Sequence, residues 1–141
     1  MSKTSIVREA FAISLETATR LVSAAIASEE RQSIPMSVVV VDAAGQLVHT
    51  SRMDGATLLS YEVAQRKAWT AAMTGFDTDG VRHFIESDAG SLRSMPHLPG
   101  FSVVSGGLPI IVDKRCVGAI GVSGGPAPID LAVAKVALES L

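Results

Sequence analysis

The sequence contains very little cysteine, few aromatic residues and little charge of either sign. Cys116 is the one cysteine, which excludes an intrachain disulfide framework and a zinc site built on several thiolates. Aromatic residues make up 4% of the chain and the net charge is −2, which argues against a nucleic-acid partner. No apolar run reaches the roughly 20 residues of a membrane helix, and the N-terminal segment lacks an apolar core of signal-peptide length. A cytoplasmic protein without a membrane partner is therefore expected.

Apolar residues, in contrast, are abundant. They account for 48% of the 141 residues, whereas charged residues account for 18%, and the mean hydropathy is +0.36. A chain of this length forms about one domain, so a single domain over residues 1–141 is expected. Because a small domain cannot bury all of this apolar surface by itself, the excess predicts a homo-oligomer.

The order of helix and strand signals predicts an α+β protein with one antiparallel sheet of about five strands. The predicted elements are, in order, a helix from Ser14 to about Arg31, a hairpin of strands at 36–42 and 46–53 around Gly45, a helix capped by Ser60 and ended by Gly75, a short helix capped by Asp79, strands at 101–104, 108–113 and 116–124, and a helix from about 129 to 141. Residues 86–100 contain two prolines and two glycines and are predicted to form a long loop, of the kind that is usually functional or disordered.

Charged residues gather where the predicted hairpin meets the second helix. Arg52 and Asp54 flank a sharp turn, and Lys67 lies about two turns into the helix, beside apolar positions. A lysine beside a packed face must extend to solvent, pair with a carboxylate or face a cavity. Two interpretations are open. One is a structural pair, Asp54–Lys67 or Glu62–Arg66, and the other is a ligand site at the rim of a pocket.

The histidines provide one further candidate. His49, His83 and His97 are too scattered to form a zinc signature. His49 is expected at the surface or an interface, and His83 in solvent. His97 lies in the long loop between two prolines, where it can act as an axial iron ligand or as a general base.

The segment "GAIGVSGG" combines glycines with a serine. It lacks the lysine of a Walker loop and the spacing of a dinucleotide-binding motif, so its glycines predict a strand bulge or a close backbone approach. The amides at Gly124 and Gly125 could still receive an anionic group at the start of the last helix. Ser123 completes a Gly-x-Ser-x-Gly pattern, but no histidine follows it in the chain, so esterase chemistry is not favoured.

Four segments, "VVVVDAAGQLVHTSRMDGA", "KAWTAA", "GGLPI" and "VGAIGVSGG", together resemble the GlcG/HbpS family of haem-binding or haem-degrading proteins. They are also similar to the C-terminal domain of PduO-type corrinoid adenosyltransferases. The resemblance implies a profilin-like α+β fold and a homo-oligomer. The residues that match the family's motifs are Arg52, Met53, Asp54, Gly55, Lys67, Ala68, Gly106, Gly107, Leu108, Pro109, Gly118, Gly121, Ser123, Gly124 and Gly125. Residues 76–100 depart most from the family's pattern.

The first functional hypothesis is therefore an oligomer that binds haem or a related tetrapyrrole. Arg52 and Lys67 would donate charge-assisted hydrogen bonds to the propionates, and His97 would be the iron ligand. Asp54, Gly106, Gly107 and Gly124 complete the predicted ligand-binding set.

The alternative is an enzyme, of the isomerase, decarboxylase or hydrolase type, that acts on a small anionic metabolite of a catabolic pathway. Arg52 would bind a carboxylate, and Asp54 or His97 would move a proton. The amides of Gly106 and Gly107, or of Gly124 and Gly125, would stabilise an oxyanion. An inert assembly subunit is the third possibility. The shape of any cavity beside Arg52 should separate the first two, because haem needs a large apolar slot and a small acid needs a compact polar pocket.

Overall fold

The structure, a computed structural model, describes residues 6–141 and consists of one antiparallel sheet covered by helices. The strands are β1 (Ser37–Asp42), β2 (Leu47–Arg52), β3 (Gly107–Val112) and β4 (Arg115–Ser123), in the spatial order β2-β1-β4-β3. The helices are α1 (Leu15–Ala27), α2 (Leu58–Thr74), α3 (Thr78–Glu86), α4 (Ala89–Ser94) and α5 (Ala127–Glu139), and 3-10 turns span Glu29–Arg31 and Met95–His97. The predicted α+β class with a single antiparallel sheet is confirmed.

The sheet has four strands over the described residues, because the strand predicted at 101–104 does not form. Phe101 is buried and packs beneath α3. The backbone N–H of Ser102 donates to the Thr70 hydroxyl of α2 at 2.9 Å, so this segment satisfies its backbone through a helix side chain. A short apolar run without alternation does not separate a strand from such a packed loop.

The long loop predicted at 86–100 is also partly helical. Asp88 caps α4, since its Oδ2 accepts a hydrogen bond from the Ser91 N–H at 2.9 Å. The 3-10 turn Met95–His97 follows directly, so Gly90 and Pro96 lie within short helices, and Pro99 and Gly100 follow them.

The helix boundaries differ from the prediction by about one turn at three other places. Thr57 caps α2, three residues before the expected Ser60. Asp77 caps α3 in place of Asp79, through its Oδ1 and the N–H of Gly80 at 2.7 Å. The first helix ends at Ala27 and not near residue 31, because Ser28 starts a separate 3-10 turn. The predicted N-cap Ser14 and the stop at Gly75, whose φ is 74°, are confirmed.

The sheet packs helices on both faces. Val38, Val40, Ile120 and Val122 turn one face toward α1 and α5 and form the larger core. Val39, Val41 and Ala119 turn the other face toward the alanines of α2. Fully burying one valine contributes about 1.5–3 kcal/mol, so β1, buried along five of its six residues, anchors both cores.

Glycines in β4 permit this close packing, as their position in a strand predicts. A Cβ on Gly121 would collide with the Ala64 carbonyl of α2, so the absent side chain lets the helix backbone approach the strand. At Gly118 the pairing register with β3 shifts by one residue, which leaves Val117 as the extra residue of a bulge. The helix at residues 58–74 is thereby fixed close to the sheet, which determines where Lys67 points. No helix within residues 6–141 combines the length and the hydropathy needed to cross a bilayer.

Candidate functional site

Lys67 is buried at the centre of the motif cluster and forms an ion pair with Asp130. Its exposed fraction is 0%, and that of Asp130 is 2%. The Lys67 Nζ donates to Asp130 Oδ2 at 3.0 Å and to the backbone carbonyl of Val122 at 2.8 Å. Because α2 covers one face of the sheet and α5 the other, this pair joins the two helical layers across the sheet.

The motif glycines make room for the pair. Gly106 has a φ of 123°, and a Cβ there would lie 3.0 Å from the Lys67 Nζ and 2.8 Å from the Val122 carbonyl. A Cβ on Gly107 would lie 2.5 Å from the Lys67 carbonyl. Gly124, with a φ of 140°, lies similarly close to the Pro35 carbonyl. A side chain at Gly106 or Gly107 would therefore displace groups around the buried lysine, and one at Gly124 would displace the Pro35–Met36 backbone.

Two of the amides proposed for anion binding are already paired inside the chain. The N–H of Gly125 donates to Asp130 Oδ1 at 3.0 Å, and the N–H of Gly107 donates to the Thr78 hydroxyl at 3.2 Å. Asp130 therefore takes the position that an external anion would need at the start of α5. Neither amide is available for the oxyanion role considered for an enzyme.

Burial shifts the pKa values of the two groups in opposite directions. Burial lowers the pKa of Lys67, and the negative charge of Asp130 opposes this effect. Burial raises the pKa of Asp130, which the charge of Lys67 and the Gly125 N–H oppose. Each group thus needs the other to remain ionised in the core.

Arg52 and Asp54 lie apart from this pair. Arg52 is exposed at the end of β2, and its Nη1 donates to the Ala56 carbonyl at 3.0 Å. Asp54 is exposed in the turn. Arg52 does not line the apolar pocket beside α3 or the three further pockets at α1, α2 and the Arg115 strand end. Lys67 is expected at the rim of a pocket but is buried.

The predicted pairs Asp54–Lys67 and Glu62–Arg66 do not form either. The ion pairs within residues 6–141 join Lys67 to Asp130, and Arg82 to Asp79 and Glu86. Asp130 was missed because sequence spacing carries no signal for a partner 63 residues away.

An apolar pocket of about 450 Å³ lies between α3 and the turn that contains Met95. It is lined by Thr74, Phe76, Gly80, Val81, Phe84 and Met95. Phe76 and Phe84 are 65% and 61% exposed, although large aromatic side chains are usually covered in soluble proteins. Of the loop predicted at 86–100, Met95 lines this pocket, and the other lining residues precede that loop. His97 shares a 3-10 turn with Met95 but is itself exposed and does not line the pocket.

The other candidates do not assemble into a catalytic or metal centre. His49 is half-buried on β2, and His83 is exposed on α3. Ser123 is 7% exposed and makes no hydrogen bond to a histidine of the described chain. Residues 6–141 contain no group of three histidine, cysteine or acidic side chains placed to hold a metal ion.

Comparisons with known proteins agree with this arrangement. The crystal structure of a double mutant of HbpS from Streptomyces reticuli has a TM-score of 0.88 at 30% identity, covering 100% of this chain and 94% of that chain. The crystal structure of a PduOC:haem complex has a TM-score of 0.83 at 32% identity, covering 92% and 95% of the two chains. Corrinoid adenosyltransferase PduO of Citrobacter freundii is 30% identical over 141 residues, which are 99% of this chain but 42% of PduO. This chain thus spans less than half the length of that relative.

The four-stranded sheet, its helices on both faces and these similarities define an α+β protein of the HbpS type. A family model described as "Haem degrading protein HbpS-like" matches residues 13–139. The chain belongs to this family, and the resemblance to GlcG and HbpS seen in the sequence is confirmed.

Proposed function

We propose that this protein binds haem or a related tetrapyrrole in the apolar pocket between α3 and the Met95–His97 turn. The observation that carries the proposal is the exposure of Phe76 and Phe84 around a pocket of about 450 Å³. This volume falls within the roughly 300–1,000 Å³ of small-molecule sites, and the apolar lining suits the flat face of a macrocycle. The haem complex of the similar PduOC protein supports the same ligand class.

The proposed iron ligand remains His97. It lies two residues after Met95 on the same 3-10 turn, and Met95 lines the pocket. The thioether of Met95 is a second possible axial ligand, because methionine also binds haem iron. The bound iron would supply redox chemistry, while the residues of this chain bind and orient the macrocycle.

Arg52 and Lys67, the two predicted donors to the haem propionates, differ in whether a ligand can reach them. Lys67 already has two partners and no exposed surface, so we propose that its role is to hold the fold of the motif region. Arg52 is exposed and donates one N–H to the Ala56 carbonyl, so its other N–H groups remain as donors. They would reach a propionate only if a second subunit brought its pocket close to Arg52.

A haemin titration of the purified protein tests the proposal. Trp69, the only tryptophan, packs with Met95 against the Val81–Ile85–Phe101 cluster, so haemin in the pocket should quench its fluorescence and shift the haemin Soret band. Phe84→Ala should weaken binding about tenfold, since loss of an aromatic contact costs on the order of 1–1.5 kcal/mol. Leu92→Ala, a matched change at an exposed apolar residue outside the pocket lining, should leave the affinity unchanged.

Axial ligation is tested separately. We expect His97→Ala to change the Soret position of the bound haem and His49→Ala to leave it as in the wild type. If only Met95→Leu changes the band, then methionine is the ligand and the His97 assignment fails. If Phe84→Ala binds haemin saturably with the affinity of the wild type, the haem lies elsewhere and the pocket assignment is wrong.

We also propose that the protein is a homo-oligomer. Leu58 and Leu59 are adjacent at the start of α2 and are 69% and 70% exposed. Such a pair is typical of surface that a second subunit covers. Analytical ultracentrifugation should show an assembly for the wild type and smaller species for Leu58→Ser/Leu59→Ser. A wild-type monomer at high micromolar concentration would contradict this proposal.

A reducing, cytoplasmic setting is the remaining part of the proposal. Cys116 is the one cysteine of the sequence, so no intrachain disulfide can form, and its Sγ–H donates to the Gly118 carbonyl at 3.3 Å. Cell fractionation with an antibody against the native protein provides the test.

A further inference from the structure

A second, smaller pocket lies on the outer side of α2. Its volume is about 270 Å³, and it is lined by Gly45, Glu62, Gln65, Arg66, Trp69 and Gly100. It shares no lining residue with the apolar pocket described above. Its lining carries one positive charge, one negative charge and one carboxamide, so its chemistry differs from that of the apolar pocket.

Two glycines hold the Trp69 indole as one wall of this pocket. Gly45, in the β1–β2 turn, has a φ of 78°, and a Cβ there would lie 2.8 Å from the indole Cδ1. Gly100, after the 3-10 turn, has a φ of 84°, and a Cβ there would lie 3.1 Å from the indole Cδ2. Both backbones therefore touch the ring directly, and the indole is fixed before any ligand arrives.

The polar groups of the wall have no partners in the described chain. Glu62 and Arg66 are four residues apart on α2, in the orientation that favours a helical ion pair, yet none forms. The Trp69 Nε1 donates no hydrogen bond to the described residues, and it is not buried away from solvent. One guanidinium, one carboxylate and one indole N–H thus face the same small volume without intrachain partners.

We propose that this pocket binds a small zwitterion of the amino-acid class. The Arg66 guanidinium receives the carboxylate through paired N–H donors, and Glu62 accepts from the ammonium group. Trp69 contacts the remaining carbon atoms and offers its N–H. The volume lies just below the roughly 300 Å³ at which sites for drug-sized ligands begin, so the ligand is small. A simple carboxylate would leave Glu62 opposed to its charge, and a simple amine would leave Arg66 unpaired.

The single tryptophan makes the proposal measurable. The full-length protein is titrated with each of the twenty common amino acids while the emission of Trp69 is recorded, with acetate and methylammonium as singly charged probes. At least one amino acid should shift the emission saturably, and neither singly charged probe should do so at the same concentration. Calorimetry of the same titrations detects binding that leaves the emission unchanged.

Matched variants assign the contact. Arg66→Gln and Glu62→Gln should each weaken the affinity about tenfold or more, the loss expected when one charge-assisted bond is removed. Lys135→Gln and Glu16→Gln make the same charge changes at exposed positions on α5 and α1, and they should leave the affinity unchanged. Absence of saturable binding by both methods would overturn the proposal. So would equal binding of acetate, or equal effects of the pocket variants and their controls.

Discussion

The buried pair between Lys67 and Asp130 makes a specific prediction about stability. Asp130→Asn removes the charge of the carboxylate but retains an oxygen that can accept from the Gly125 N–H, now 3.0 Å from Oδ1. It leaves the Lys67 ammonium, with 0% exposure, facing an amide and the Val122 carbonyl. Breaking a buried pair by removing one partner costs about 3–5 kcal/mol, because the remaining charge stays in the core. That loss is a large share of the roughly 5–15 kcal/mol by which a native domain is stable.

The same variant should show a distinctive pH dependence. Burial already lowers the pKa of Lys67 from its ordinary 10.5, and loss of the neighbouring carboxylate lowers it further. A group with a depressed folded-state pKa contributes stability above its unfolded pKa and loses it as the pH falls through the folded pKa. The deficit of Asp130→Asn should therefore shrink as the pH rises from 7 toward 10.5, by at most about 1.4 kcal/mol per pH unit.

Urea unfolding at one fixed protein concentration measures both effects. Asp54→Asn, the same change at an exposed turn, is the control and should shift stability by less than about 0.5 kcal/mol. In the double variant Lys67→Met/Asp130→Asn no charge of the pair remains buried. Its loss of stability should therefore be smaller, by about 0.5–3 kcal/mol, than the sum of the losses measured for Lys67→Met and Asp130→Asn alone. Additive losses, or a deficit for Asp130→Asn equal at pH 7 and pH 10, would refute the account of the pair.

Three further predictions concern a helix cap, two glycines and one hydrogen-bonded carboxylate. Ser14→Ala should cost about 1 kcal/mol in urea unfolding, since it removes the N-cap hydrogen bond of α1. Gly121→Ala should cost at least about 1–3 kcal/mol, because the added Cβ meets the α2 backbone, whereas Gly90→Ala in exposed α4 should stabilise by about 0.4–1 kcal/mol. Ser91→Ala should raise the pKa of Asp88 toward 3.8, because hydrogen bonds from Ser91 now lower it; NMR titration of the carboxyl carbon reports the change, and an unaltered pKa would contradict it.

The regular parts of the fold were predictable because each has a local signal. The β-branched run of β1 is buried on both faces, as such a run predicts, and Gly75 ends α2 in a left-handed conformation. The strand glycines of β4 were also interpreted correctly, since a missing side chain in a strand has few physical explanations.

The errors share a different cause. The segment at 101–104 has strand-like composition, but the Ser102 N–H donates to the Thr70 side chain of α2, and no pattern in a sequence reports such a tertiary bond. The partner of Lys67 lies 63 residues away, beyond any spacing rule. Caps were misplaced by about a turn because threonine, serine and aspartate occur in clusters at these junctions, and any of them can cap a helix.

The residues around the buried ion pair and the residues that line the apolar pocket lie in different parts of the chain. The motif residues Lys67, Gly106, Gly107 and Gly125 lie around one buried ion pair, and their polar groups bond to Asp130, Val122 and Thr78 within the chain. The apolar pocket, in contrast, is lined by residues between Thr74 and Met95. The ion pair and the proposed ligand pocket therefore lie in separate parts of this chain. For this reason, Phe84→Ala tests the ligand while leaving the pair intact, and Asp130→Asn tests the pair directly.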